Sequence, residues 1–159
     1  MSWFGAPPAA LEMYHVGVVV PDVRLAMEQY SAAHGFTWSR VGDSVLDVLV
    51  DGRRREARIA ATYSLEGPPY LELVEELSGG VWATQALGLQ HVGFWTDDLE
   101  GSVRRLDSAG CRGRVRHAPP DGQPALFSYH EVAPGLWWEL VSTAFQPRLA
   151  ARLAAAAPD

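Results

Sequence analysis

The sequence predicts an α+β domain made of two copies of a β-α-β-β-β unit followed by a helical tail. Three observations predict it. The segment His15-Val16-Gly17-Val18-Val19-Val20-Pro21-Asp22 lies over His91-Val92-Gly93-Phe94-Trp95-Thr96-Asp97-Asp98 at an offset of 76, with His, Val, Gly and the last Asp in common. A second repeat closes each half: Glu72-Leu73-Val74 lies over Glu139-Leu140-Val141 at an offset of 67, so the second copy is nine residues shorter between its motifs. In both halves the apolar periodicity also switches in the same order, from strand-like to helix-like and back to strand-like.

Each element has a local reason. The short apolar runs Tyr14 to Val20 and Gln90 to Thr96, rich in β-branched residues, suit strands. Asp22 and Asp98 follow as N-caps, where a carboxylate accepts the unpaired backbone N–H groups of a helix start. Val23, Met27 and Tyr30 in one half, and Leu99, Val103 and Leu106 in the other, recur at helical spacing. Gly35 and Gly110 are placed to stop those helices. Three strands come next in each half: Val45–Val50, Ala57–Ser64 and Tyr70–Leu77, then Arg112–His117, Ala125–Val132 and Trp137–Ser142. Turn signals separate them at Asp51-Gly52, Gly67-Pro68-Pro69, Pro119-Pro120-Asp121-Gly122 and Pro134-Gly135. The chain therefore reads as one domain over 1–159, with modules at 12–77 and 89–143 and a linker at 78–88. The tail, 144–159, is helical from Pro147 to Ala156 by its Ala, Leu and Arg content and lies outside the repeat. It fits an edge cap or a self-association element.

Composition narrows the class. With 48% apolar and 20% charged residues in 159, a sizeable core is available. Thirteen basic against nineteen acidic side chains give a net charge of −6, which argues against a nucleic-acid-binding surface. Cys111 is the one cysteine, so no intrachain disulfide forms, and a reducing cytoplasm suits the chain. The start, Met1 to Pro8, lacks the basic and apolar regions of a secretion signal. No stretch approaches the roughly 20 apolar residues that span a bilayer. The expectation is a cytoplasmic protein with no membrane partner.

Both repeats carry a potential metal ligand at the same place. Period-2 geometry puts His15, Gly17 and Val19 on one strand face, and Tyr70, Glu72 and Val74 on another. If those faces share a cup, His15, Glu72, His91 and Glu139 converge. Singly, each has an ordinary explanation, as a hydrogen-bonded strand-start histidine or a glutamate on a solvated face. A duplicated core explains repeated Val and Leu, but gives no reason to repeat a His and a Glu. Two carboxylates nearly neutralise a divalent cation and imidazole tolerates several first-row metals, so the set suits one Zn, Ni, Co, Mn or Fe ion. Four protein ligands leave open positions on a six-coordinate ion.

At this point the sequence resembles the vicinal oxygen chelate superfamily, which includes glyoxalase I, methylmalonyl-CoA epimerase, extradiol dioxygenases and the bleomycin and fosfomycin resistance proteins. The resemblance covers about Glu12 to Ser142. Gly88-Leu89-Gln90-His91-Val92-Gly93-Phe94, Asp97-Asp98-Leu99 and Gly110 look like the epimerase branch. So does His130 followed by Pro134-Gly135-Leu136-Trp137-Trp138-Glu139-Leu140. The resemblance implies paired βαβββ modules forming an open, U-shaped mixed sheet around a metal-binding cup, with His15, Glu72, His91 and Glu139 as ligands. Epimerases commonly place Gln where Glu72 stands and glyoxalase I places Glu, which leaves the choice between these chemistries open. It also implies a small-molecule substrate, carbonyl- or CoA-containing, and a homodimer whose modules are paired within or between chains.

Such a metal accepts carbonyl oxygens and stabilises the enolate formed when a neighbouring C–H loses its proton. The general base is then Asp47, an acid inside the otherwise apolar Val45–Val50, at a position resembling that of the base in the epimerase branch. Asp47 fits an exposed edge-strand position equally well. Glu139 is the alternative base. Trp95, Tyr129 and His130 are candidate substrate contacts, although Tyr129 and His130 are adjacent on a strand and one must face away. His34 and His117 read as structural, and Arg53-Arg54-Arg55 as a solvated hairpin turn or a grip for a phosphorylated tail. The function expected is a metal-dependent isomerase, epimerase or lyase. The alternatives are a metal-free binding or resistance protein for an aromatic metabolite or antibiotic, and an Fe(II) dioxygenase, which the fourth ligand disfavours.

Overall fold

The computed structural model describes residues 9–78, 82, 88–120 and 122–156. The first module runs β1 (Glu12–Val19), α1 (Val23–His34), β2 (Gly42–Val50), β3 (Arg53–Tyr63) and β4 (Tyr70–Glu76). The second runs β5 (Gly88–Thr96), α2 (Leu99–Ser108), β6 (Arg112–His117), β7 (Phe127–Ala133) and β8 (Leu136–Ser142). A 3₁₀ turn at Thr143–Phe145 then leads into α3 (Gln146–Ala154). Most of the 78–88 linker, and Asp121 of the turn before β7, lie outside the described residues.

The local signals act as the chemistry requires. The Asp22 carboxylate accepts from the Leu25 N–H at 2.9 Å, and that of Asp98 from the Gly101 N–H at 2.8 Å. Gly35 ends α1 in the left-handed region at φ 73°, where a residue without a Cβ is at least cost. Asp51 and Gly52, both at positive φ, make the tight turn between β2 and β3. Arg53, Arg54 and Arg55 are therefore not the turn. They begin β3, exposed to solvent.

The eight strands form one mixed sheet in the order β1-β4-β3-β2-β6-β7-β8-β5, curled around an axis. Within each module the first and last strands are parallel neighbours, β1 with β4 and β5 with β8. The modules meet along β1 and β5, which are antiparallel over most of their length. The two rims of the expected open U also touch, where Val48, Leu49 and Val50 pair with His117, Arg116 and Val115. Apolar burial draws those rims together, because Val48 and Val115 are 0% and 2% exposed inside the curl. Outside, Asp51 holds Arg112 and Arg114 across the seam at 3.2 and 3.0 Å.

The helices cover different surfaces. Val23 and Ala26 of α1 pack with Leu73 and Ala60 on the outer face of β3 and β4, while α2 lies over β6, β7 and β8. Helix α3 buries Leu149 among Tyr14, Tyr63, Trp95 and Val141 at one end of the curled sheet. Among the described residues no helix is long and apolar enough to cross a membrane.

Candidate metal centre

The duplicated His-x-Gly motif has a steric logic. Along the antiparallel ladder, His15 of β1 stands opposite Gly93 of β5, and His91 stands opposite Gly17. A Cβ added to Gly93 would lie 1.9 Å from the His15 ring, and one added to Gly17 would lie 1.9 Å from the His91 ring. Each imidazole thus fills the space left by the other module's glycine. The rings end 5.1 Å apart between centroids, with their Nε2 atoms 3.0 Å from each other and both residues fully buried.

The glutamates arrive by the same symmetry. Glu72 of β4 is in register with Gly17, and Glu139 of β8 with Gly93. Glu72 Oε2 lies 3.1 Å from His91 Nε2 and 3.3 Å from His15 Nε2. Glu139 Oε2 lies 3.0 Å from His15 Nε2 and 3.6 Å from His91 Nε2. One donor atom from each of the four residues falls within 4.8 Å of all the others. Around an ion with donors at roughly 2.0–2.1 Å, neighbouring donors stand about 3.0 Å apart in an octahedron and about 3.4 Å in a tetrahedron. The measured separations cluster around those edge lengths, and two imidazoles with two carboxylates are a donor set that first-row divalent ions accept. The residues fit a metal, and all four belong to one chain.

Electrostatics couple the four groups. Burial disfavours charge on His15, but the Glu72 carboxylate and hydrogen bonds with Glu139 and Glu72 outweigh it and push its pKa up to about 9. Burial likewise opposes ionisation of Glu72. The charge of His15, with hydrogen bonds from His15 and His91, holds that carboxyl well below the usual range.

Above the four residues lies a cavity of about 330 Å³, lined at its floor by Glu72 and Glu139 and on its walls by Tyr14, Tyr63, Trp82, Phe127 and Tyr129. Tyr63 is in register with Glu72 and Tyr129 with Glu139, a second pairing shared by the modules. Burial, then the charge of and a hydrogen bond with its glutamate, raises each phenol well above its ordinary pKa, so both stay neutral. Phe145, Arg148, Ala151 and Arg152, from the 3₁₀ turn and α3, line the opposite side. The tail therefore caps the cup.

The remaining sequence candidates divide by strand face. Tyr129 faces the cavity. His130, the next residue, is on the outer face under α2, fully buried with its Nε2 3.4 Å from Asp107, and does not reach the cup. Asp47 also lies outside: β2 turns Ser44 and Leu46 inward, leaving the Asp47 side chain 45% exposed and 3.8 Å from Arg54. Trp95 is one layer behind the wall, stacked on Tyr14 at 3.7 Å, and supports the cavity without lining it. Of the two adjacent tryptophans, Trp137 is buried inward and Trp138 is 37% exposed.

Sequence reasoning missed Tyr14, Tyr63, Trp82, His117 and the two arginines of α3. Tyr63 had a signal, since Thr62-Tyr63 and Ser128-Tyr129 repeat at an offset one short of that between the glutamates. His117, expected to be structural, closes β6 and lines the cavity, stacked on Phe127 at 5.1 Å. Its Nδ1 accepts the Leu126 N–H at 3.0 Å, so the neutral ring carries its proton on Nε2.

Comparison with known proteins agrees with this architecture. Among solved structures, a methylmalonyl-CoA epimerase from Streptomyces coelicolor in complex with 2-nitronate-propionyl-CoA superposes with a TM-score of 0.58 at 18% identity, covering 85% of this chain and 99% of its own. The methylmalonyl-CoA epimerase from Mycobacterium tuberculosis gives 0.57 at 24% identity, covering 87% and 91%. A hypothetical protein from Bacillus halodurans C-125 gives 0.60 at 15% identity, covering 85% and 96%. At these identities the likeness is one of fold. No curated protein matches the chain. The family model for the glyoxalase/bleomycin resistance protein/dioxygenase superfamily matches residues 14–127, a span that takes in His15, Glu72 and His91 and stops short of Glu139 and α3. With more than half of its length matched and the two-module sheet in place, the chain belongs to the glyoxalase/bleomycin resistance protein/dioxygenase superfamily.

Proposed function

We propose that the chain is a divalent-metal-dependent isomerase or epimerase, or a lyase of the same chemistry, that moves a proton on the carbon next to a carbonyl. One observation carries this reading: two imidazoles and two carboxylates converge at metal-polyhedron spacings on the floor of a cavity. His15, Glu72, His91 and Glu139 hold the ion, which supplies a Lewis acid for the carbonyl oxygen. Of the two candidate bases, Glu139 takes the role, because its carboxylate lines the cavity and that of Asp47 does not; it would act as base when displaced from the ligand set. Tyr63 and Tyr129, kept neutral by burial, serve as donors beside the two glutamates. Phe145, Arg148, Ala151 and Arg152 of the tail complete the lining of the cavity. The methylmalonyl-CoA epimerases among the structural neighbours support the epimerase side of the proposal.

Proton exchange tests it. The chain, loaded in turn with Zn, Ni, Co, Mn and Fe(II), is incubated with a panel of carbonyl compounds in D₂O, and loss of the neighbouring C–H signal is followed by NMR. The expected result is exchange that stops on chelation and in Glu139→Gln. Failure to retain a stoichiometric ion of any of the five metals would overturn the reading. The aromatic walls favour a second reading, a metal-free binding protein for a planar ligand. Ligand affinity that survives both chelation and His91→Ala decides for that one.

A further inference from the structure

The mouth of the cavity carries the opposite charge to its floor. Arg148 and Arg152 are four residues apart on α3, so they share one helix face, and both line the cavity. Neither has a carboxylate partner among the described residues. Arg152 is held in place by packing. Its guanidinium sits over the Tyr63 ring at 6.0 Å, donates to Ser44 Oγ at 3.4 Å and occupies the space beside Gly42. His117 also lines the cavity; burial lowers its pKa, Asp47 opposes this, and Arg148 is close enough for its charge to lower it further. The His117 Nε2–H adds a neutral donor. Once an ion neutralises the two glutamates, the cavity keeps two positive charges at one end.

We infer that Arg148 and Arg152 are specificity-determining residues that bind an oxyanion, and that the ligand is a small organic acid. Its carboxylate or phosphate lies at the mouth, its apolar or aromatic body against Tyr14, Trp82 and Phe127, and its carbonyl end at the floor. The last placement rests on the metal-dependent reading. The volume supports a compact ligand, since about 330 Å³ is near the small end of the roughly 300–1,000 Å³ of small-molecule sites. The guanidinium is the group that best matches planar oxyanions.

A matched pair of probes tests this. 4-Carboxybenzohydroxamate and its methyl ester present the same metal-chelating end and differ in the charge at the other. Titrated calorimetrically into the Zn(II)-loaded chain, the acid is expected to bind about tenfold more tightly than the ester, as for a charge-assisted hydrogen bond. Arg148→Gln and Arg152→Gln each reduce that preference and together remove it, bringing the acid down to the affinity of the ester. Equal affinities in the wild-type chain, or variants that weaken acid and ester alike, would overturn the inference. If zinc adds nothing to the affinity of either probe, the metal reading fails by itself. The mouth is then decided on the metal-free chain, with benzoate and phenylphosphonate against methyl benzoate. An anion preference lost in the double variant sustains the inference, its absence ends it, and the ranking of the two anions tells carboxylate from phosphate.

Discussion

The floor and the mouth of the cavity are built by different rules. The floor is made twice: His15 and His91, Glu72 and Glu139, and Gly17 and Gly93 are pairs in which each module repeats the other, and Tyr63 and Tyr129 repeat on the walls beside it. The mouth is made once, by α3, which has no counterpart in the repeat. Duplication supplies a symmetric, buried set of donors suited to a spherical ion. A ligand with two different ends needs an asymmetric partner, and the single tail provides it. Chemistry common to a superfamily can therefore reside in the repeated part while ligand choice resides in the unrepeated one.

Substitutions separate the two. The largest effect is expected at the interlock, where Gly17→Ala and Gly93→Ala each force a Cβ into a buried ring. Each should cost about 3 kcal/mol by urea denaturation, the upper end for overpacking, and the two costs should be alike. A mild effect at one position and a severe one at the other would break the symmetry of the floor. The mouth should yield separately. Leu149→Ala, at 5% exposure the buried anchor of α3, is expected to cost about 2 kcal/mol and to leave the metal content unchanged by elemental analysis. Metal lost with the tail would show that floor and mouth are one unit. The smallest effect belongs outside both. Asp47→Asn removes a half-exposed surface partner of Arg54, so stability should change by less than about 0.5 kcal/mol and proton exchange should be unaltered. A large loss of exchange would return Asp47 to the reaction.

The same division decided how much was legible in the sequence. The repeat, the two aspartate caps and the order of the strands could be read because each is a local pattern. His15, Glu72, His91 and Glu139 could be singled out because the repeat marked them, and the structure brings them together. Strand face was harder. β2 carries apolar residues on both sides, Val45 at 60% exposure and Val48 at 0%, so no alternation showed which way Asp47 points. Tyr129 and His130 posed the same question of parity, which pairing with Glu139 and Trp138 answers. The contribution of α3 was illegible for another reason. An Ala- and Arg-rich amphipathic helix carries no record of the surface it will cover, and only the position of the barrel end places its arginines at the mouth.

The glycine sockets have a consequence for how this protein can change. Because each ring is seated in the opposite module, neither half contains a complete seat for its own histidine. Enlarging Gly17 requires a compensating reduction at His91, and enlarging Gly93 one at His15, each in the other half of the chain. The halves are in this sense locked in step. A fragment carrying one of them would regain a whole seat only by docking with another fragment that offers the missing hollow.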